Sequence, residues 1–167
     1  MLLTRTISLR AFVLLLLSLA SGCATQLAPQ YDAALFKGVT DLNVELMSLF
    51  ASVSAGTDSA SCNERLPTYN ALIGKAEALA LQSEARPVPE NSITERVNAH
   101  LDSRGIAPLD DGVAPSAHAL RQVAKQVSKM RDVDCRAGLS PGLVAPFKNA
   151  VVISMDQAIT YESFLNR

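Results

Sequence analysis

A chain of 167 residues with 15 basic and 16 acidic side chains can bury one substantial core, and its near-neutral balance excludes a nucleic-acid binder of the ordinary electrostatic kind. Three cysteines and two histidines leave little material for a metal centre. No apolar run reaches the roughly 20 residues that cross a bilayer as a helix.

The first element is an export segment. Arg5 and Arg10 supply a positive amino-terminal region, and Ala11 to Ala20 an apolar stretch too short to span. It ends in Leu19-Ala20-Ser21-Gly22-Cys23, where small residues precede a cysteine. This stretch, within residues 1–24, resembles the lipobox of bacterial lipoproteins, although the commonest form has Leu at the Ala20 position. The resemblance implies cleavage between Gly22 and Cys23, with a diacylglycerol on the Cys23 thiol and an acyl chain on its new amino group. Two or three chains anchor a protein stably where one does not. By resemblance to Gram-negative lipoproteins, Ala24 rather than Asp after the lipidated residue implies the periplasmic face of the outer membrane instead of inner-membrane retention.

The expected organisation is a cleaved signal at 1–22, a lipidated tether at 23–30 and a periplasmic domain at 31–167. Losing Arg5 and Arg10 leaves 13 basic and 16 acidic side chains in the mature chain. With Cys23 assigned to lipid, Cys62 and Cys135 remain as a pair in an oxidising compartment, which predicts a disulfide. Two cysteines 73 residues apart lack the close ligand spacing of a zinc site.

From Tyr31 the apolar positions Leu35, Val39, Leu42, Leu46, Leu49 and Val53 advance in steps of four and three, one face of a helix that Gly56-Thr57-Asp58-Ser59 ends. A second helical pattern, starting near Pro67, places Tyr69, Leu72, Ile73, Ala76, Leu79 and Ala80 inward. Arg86-Pro87-Val88-Pro89 stops it, and Ser92-Ile93-Thr94-Glu95 forms a capping box for a short helix carrying Ile93, Val97 and Leu101. Residues 105–114 read as a loop. A helix from about Pro115 to Asp132 turns Leu120, Val123, Ala124, Val127 and Met130 inward. Another begins at Ser140, with Pro141 in its first position, and carries Leu143, Val144, Phe147, Val151, Met155, Ala158 and Ile159. No segment alternates with period two, so no sheet is predicted.

The disulfide and the helix count constrain each other. Five full traverses would leave the residues near Cys62 and Cys135 at opposite ends, whereas a disulfide needs alpha carbons within about 7 Å. The predicted fold is therefore all-α: a four-helix bundle with a partly helical crossover over about 86–114.

Motifs for chemistry are weak. Gly138-Leu139-Ser140-Pro141-Gly142 matches the G-x-S-x-G elbow of hydrolases, but no strand precedes it and Pro141 lacks the amide hydrogen an oxyanion hole needs. His100 and His118 flank the 105–114 loop near Asp102, Asp110 and Asp111, without the i, i+4 ligand pairs of a metal helix. Met47, Met130 and Met155 sit at core spacing, and Gly74-Lys75 lacks the glycine a phosphate loop requires. No catalytic residue, metal or cofactor is expected beyond the lipid on Cys23. Arg121, Lys125 and Lys129, four apart, form a basic stripe and are the candidate contact for an anionic group. The expected partners are a membrane, through the lipid, and another envelope protein, with no nucleic acid. The expected role is a non-enzymatic lipoprotein docking that protein as an accessory or assembly factor, and the alternative is a helical carrier for a small molecule or lipid. The plan is similar in general terms to that of secretion-system pilotins, without a residue-by-residue match.

Overall fold

A computed structural model describes residues 28–87, 99, 103 and 114–166. Four α-helices stand among them: α1 (Ala33–Ser52), α2 (Cys62–Glu84), α3 (Pro115–Ala137) and α4 (Pro141–Phe164), with a 3-10 turn at Ser59–Ser61. There is no strand among the described residues. Each helix packs on two neighbours, α1 and α3 both lying beside α2 and α4, while the backbones of the diagonal pairs make no close approach. The chain is the predicted four-helix bundle. Of its crossover, Ala99 is helical and its carbonyl accepts from the Ser103 N–H at 3.1 Å; the capping box, His100 and the acidic residues of the loop lie outside the described residues.

The apolar steps of α1 are all buried, and they meet Tyr69, Leu72, Ala76 and Leu79 of α2, the Leu120–Met130 stripe of α3, and Val151, Met155 and Ala158 of α4 in one core. Leu143 departs from the expectation: it is 46% exposed, one position and about 100° around the helix from Val144, which enters the core. The α2–α3 pair is the most closely packed, consistent with the small side chains of Ala76, Ala80, Ser83, Ser116 and Ala119. Its register is pinned twice, by Ser83 on Ser116 and by Arg65 on Asp134. Both pairs are separated by 18 residues on each helix, about 27 Å of rise, so a single antiparallel register satisfies both.

Two helix bounds differ from the sequence expectation. α2 starts at Cys62, not near Pro67, which becomes its sixth residue; α4 likewise holds Pro146 as its sixth. Each proline deprives the carbonyl four residues back of its donor. Those carbonyls belong to Asn63 and Gly142, both exposed, so water replaces the lost bond. In α2 the extra turn is held by the disulfide at Cys62 and by the Arg65 ion pair. α3 runs to Ala137, five residues past Asp132, which brings Asp134 and Cys135 onto its last turn.

At this upper end the Cys62 and Cys135 alpha carbons lie 5.0 Å apart and the two are disulfide-bonded. The loops beside them are stitched: Thr57 N–H donates to the Leu139 carbonyl, and Leu139 N–H to Thr57 Oγ1, both at 2.8 Å. Gly138, at φ +75°, comes so close that a Cβ there would lie 2.5 Å from the Thr57 carbonyl oxygen, so only glycine fits.

Candidate functional site

Two buried carboxylates dominate the polar interior, one at each end of the bundle. Asp134 has no exposed surface. Arg65 donates to it twice, Nε to Oδ2 at 2.7 Å and Nη2 to Oδ1 at 2.8 Å, the Tyr69 hydroxyl donates at 3.0 Å, and the Thr57 hydroxyl donates to Oδ1. Four donors match the roughly four lone-pair positions of a carboxylate. Burial alone would raise the Asp134 carboxyl, but the donors from Arg65, Thr57 and Tyr69 outweigh it and hold the group below its ordinary value. Burial, and then the bond to Asp134, raise the Tyr69 phenol well above the ordinary range.

Glu162 is the counterpart at the lower end, also without exposed surface. Arg86 grips it with Nη1 on Oε2 at 2.9 Å and Nη2 on Oε1 at 2.5 Å. Ser116 donates to Oε1, so its hydroxyl must accept from Ser83 at 2.6 Å, and Ser83 in turn accepts from Arg86 Nη2 at 3.2 Å. The ring closes on itself and joins α2, α3 and α4. Arg86 Nη1 also reaches the Gln30 carbonyl at 3.4 Å, and Pro29 is buried, so the segment before α1 is tied to this end. Among the described residues no buried side-chain nitrogen or oxygen lacks a hydrogen-bond partner. Both clusters therefore have a structural explanation as clamps that hold five helix ends.

The surface is different. Between the upper halves of α1 and α2 runs a groove of about 560 Å³, open to solvent, lined by Ser48, Leu49 and Ser52 on one side and Pro67, Ala71 and Leu72 on the other. Small side chains at 48, 52 and 71 leave the space. Lys75 bonds Glu45 at 2.7 Å across its lower end. Lower on the same interface Gly38 lets Leu79 approach the α1 backbone, its Cδ2 standing 2.6 Å from where a Cβ would be. The groove thus begins where that close contact ends.

The sequence-selected residues fall as follows. Cys62 and Cys135 are joined, whereas Gly22 and Cys23 lie outside the described residues. Arg121 does not stand in a free stripe with Lys125 and Lys129: it is turned sideways onto Glu84 of α2. Lys125 and Lys129 are exposed, as are His118 and Arg136 on the same outer face of α3. Ser140 precedes α4 by position but its hydroxyl makes no cap bond, and a helix, not a strand, comes before it. Met130 and Met155 are core residues and Met47 packs against the core.

Sequence reasoning misses Asp134 and Glu162, although a signal for them exists. Asp134 continues the buried steps Leu120, Val123, Val127 and Met130, and Glu162 continues Val151, Met155 and Ala158. A carboxylate in phase with an apolar stripe must be paired or bear a large desolvation cost. No described helix is long and apolar enough to cross a membrane. No protein-family model, curated protein or solved structure matches the chain.

Proposed function

We propose that this chain is a lipid-anchored envelope protein on the periplasmic face of the outer membrane, held through Cys23, which docks another envelope protein and performs no catalysis of its own. The observation that carries the docking reading is the open groove between α1 and α2, with the buried Leu49 and Leu72 beneath it and the exposed Ala71 and hydroxyls at its edge. Buried apolar anchors surrounded by polar rims are how protein partners are held. A small-molecule carrier would instead enclose its ligand on most sides, and this groove is open.

Two experiments test the reading in parts. Cys23→Ser should move the protein from the salt-washed membrane fraction to the soluble fraction while the helical circular dichroism stays unchanged; a variant still held by membranes after a high-salt wash refutes the anchor. A photo-crosslinking residue at position 71, in the groove, should trap one discrete protein adduct in cells, and the same probe at Gln157 of α4, exposed and not among the groove's lining residues, should not. Ser48→Arg, which fills the groove from the α1 side, should abolish that adduct. Adducts of equal yield from both positions, or an adduct that survives Ser48→Arg, would end the docking reading.

A further inference from the structure

Charge is divided unevenly among the four helices. α3 carries five basic side chains against two acidic ones, while α1, α2 and α4 each hold one more acid than base. Two of the α3 basic groups are engaged: Arg121 with Glu84, and Arg131 with Asp132 and Asn70. One of its acids, Asp134, is turned inward and neutralised by Arg65. Lys125, Lys129 and Arg136 are exposed and make no ion pair among the described residues. Spaced by four and seven residues, they lie along one line on the outside of the helix. That line runs about 16 Å, from the middle of the bundle to the disulfide end.

We propose that this face of α3 rests on the anionic phosphate surface of the membrane leaflet to which the chain is tethered, an inference that takes its proximity argument from the lipid anchor on Cys23. Three features favour a lipid surface over a single bound anion or a protein partner. The cations are separate and exposed along about 16 Å of helix, so they suit a plane of many phosphates better than one enclosed ligand. The outer face of α3 has no exposed large hydrophobic side chain; those among the described residues lie on α1, α2 and α4, so this face lacks the apolar anchor a protein interface uses.

The tether also has the right length. Pro29 is buried at the lower end of the bundle, so the five steps from Cys23 to Ala28 span at most about 18 Å. The outer face of α3 stands about 12 Å from the bundle axis. The chain can therefore lie on its side on the membrane. Because α1 is diagonal to α3, that pose turns α1 and the adjoining groove away from the lipid and towards the periplasm.

The test separates the stripe from the anchor. The mature chain bearing Cys23→Ser, whose described core lies wholly within residues 28–166, is sedimented with vesicles of phosphatidylcholine alone or with about one-third phosphatidylglycerol. It should partition onto the anionic vesicles and be released by salt. Lys125→Gln, Lys129→Gln and Arg136→Gln together should lower that partitioning about a hundredfold, while Lys37→Gln with Lys148→Gln leaves it unchanged. Equal binding to both vesicles, or binding that survives the triple change, overturns the proposal whether or not Cys23 carries lipid.

The lipid-anchored chain is then reconstituted on the same vesicles and its lysines acetylated. Lys125 and Lys129 should be protected relative to Lys37 and Lys148 on the anionic vesicles alone. Protection without vesicles would assign the stripe to the acidic residues between 88 and 113, and protection in cells but not on vesicles would assign it to an acidic protein. Either result overturns the membrane contact.

Discussion

Asp134→Ala should destabilise the fold by about 3 kcal/mol, seen as a fall of roughly 6–12 °C in the thermal midpoint. The estimate lies at the low end for breaking a buried ion pair, because the Arg65 side chain is 19% exposed and regains some water. The Tyr69 hydroxyl does not; it is buried and loses its acceptor. Arg65 keeps its bonds to the Ser61 hydroxyl and the Asp58 carbonyl, so the 3-10 turn should survive while the α2–α3 clamp opens. Asp134→Asn should cost less, since its oxygen still accepts.

The pH dependence has a definite sign. The Asp134 carboxyl is held below its unfolded value, so its contribution is complete above the ordinary carboxylate range near 4 and is lost as pH falls through the lower folded value. The stability gap between the natural chain and Asp134→Asn should therefore narrow on acidification below about pH 5 and stay flat above it. A gap of under about 1 kcal/mol at neutral pH would show that the carboxylate is merely accommodated. One that widened in acid would reverse the assigned sign.

The same residue marks where sequence reasoning stops. The bundle is legible because apolar steps of three and four are a local signal, and because two remaining cysteines impose a distance that a five-helix array cannot meet. Pairwise polar contacts are not local. Nothing near Arg86 in the chain names Glu162 as its partner 76 residues away, and Arg121 reads as free only because Glu84 belongs to another helix. The end of α3 reads too early for a related reason. Asp132, Asp134 and Arg136 look like the polar finish of a helix, but Asp134 sits on the buried side, and its tertiary partners carry the helix one turn further. The start of α2 reads too late because proline prefers the first turn of a helix, a preference that the disulfide and Arg65 outweigh at Pro67. The groove has no sequence signature beyond small residues at 48, 52 and 71, which read equally as ordinary helix surface.

Replacing Cys62 and Cys135 together by Ser is the change with the other large expected effect, a loss of about 4 kcal/mol from the chain entropy of a loop 73 residues long. The effect acts on the unfolded chain, so the helices and their register should be unchanged at 25 °C, and a urea titration should show a lower midpoint with a similar or somewhat larger slope. The disulfide and the Asp134 lock brace the same end of the α2–α3 pair, since Cys135 follows Asp134 and Cys62 lies three residues before Arg65. They do so by different means, one limiting the unfolded ensemble and the other stabilising the folded contact. Their costs should therefore nearly add in a double-mutant cycle, with a coupling below about 0.5 kcal/mol. The triple variant would then lose about 7 kcal/mol, enough to unfold many domains whose total stability is about 5–15 kcal/mol. A coupling as large as the smaller single effect would mean that the lock forms only when the disulfide has already brought the two helix ends together, and the two devices would count as one.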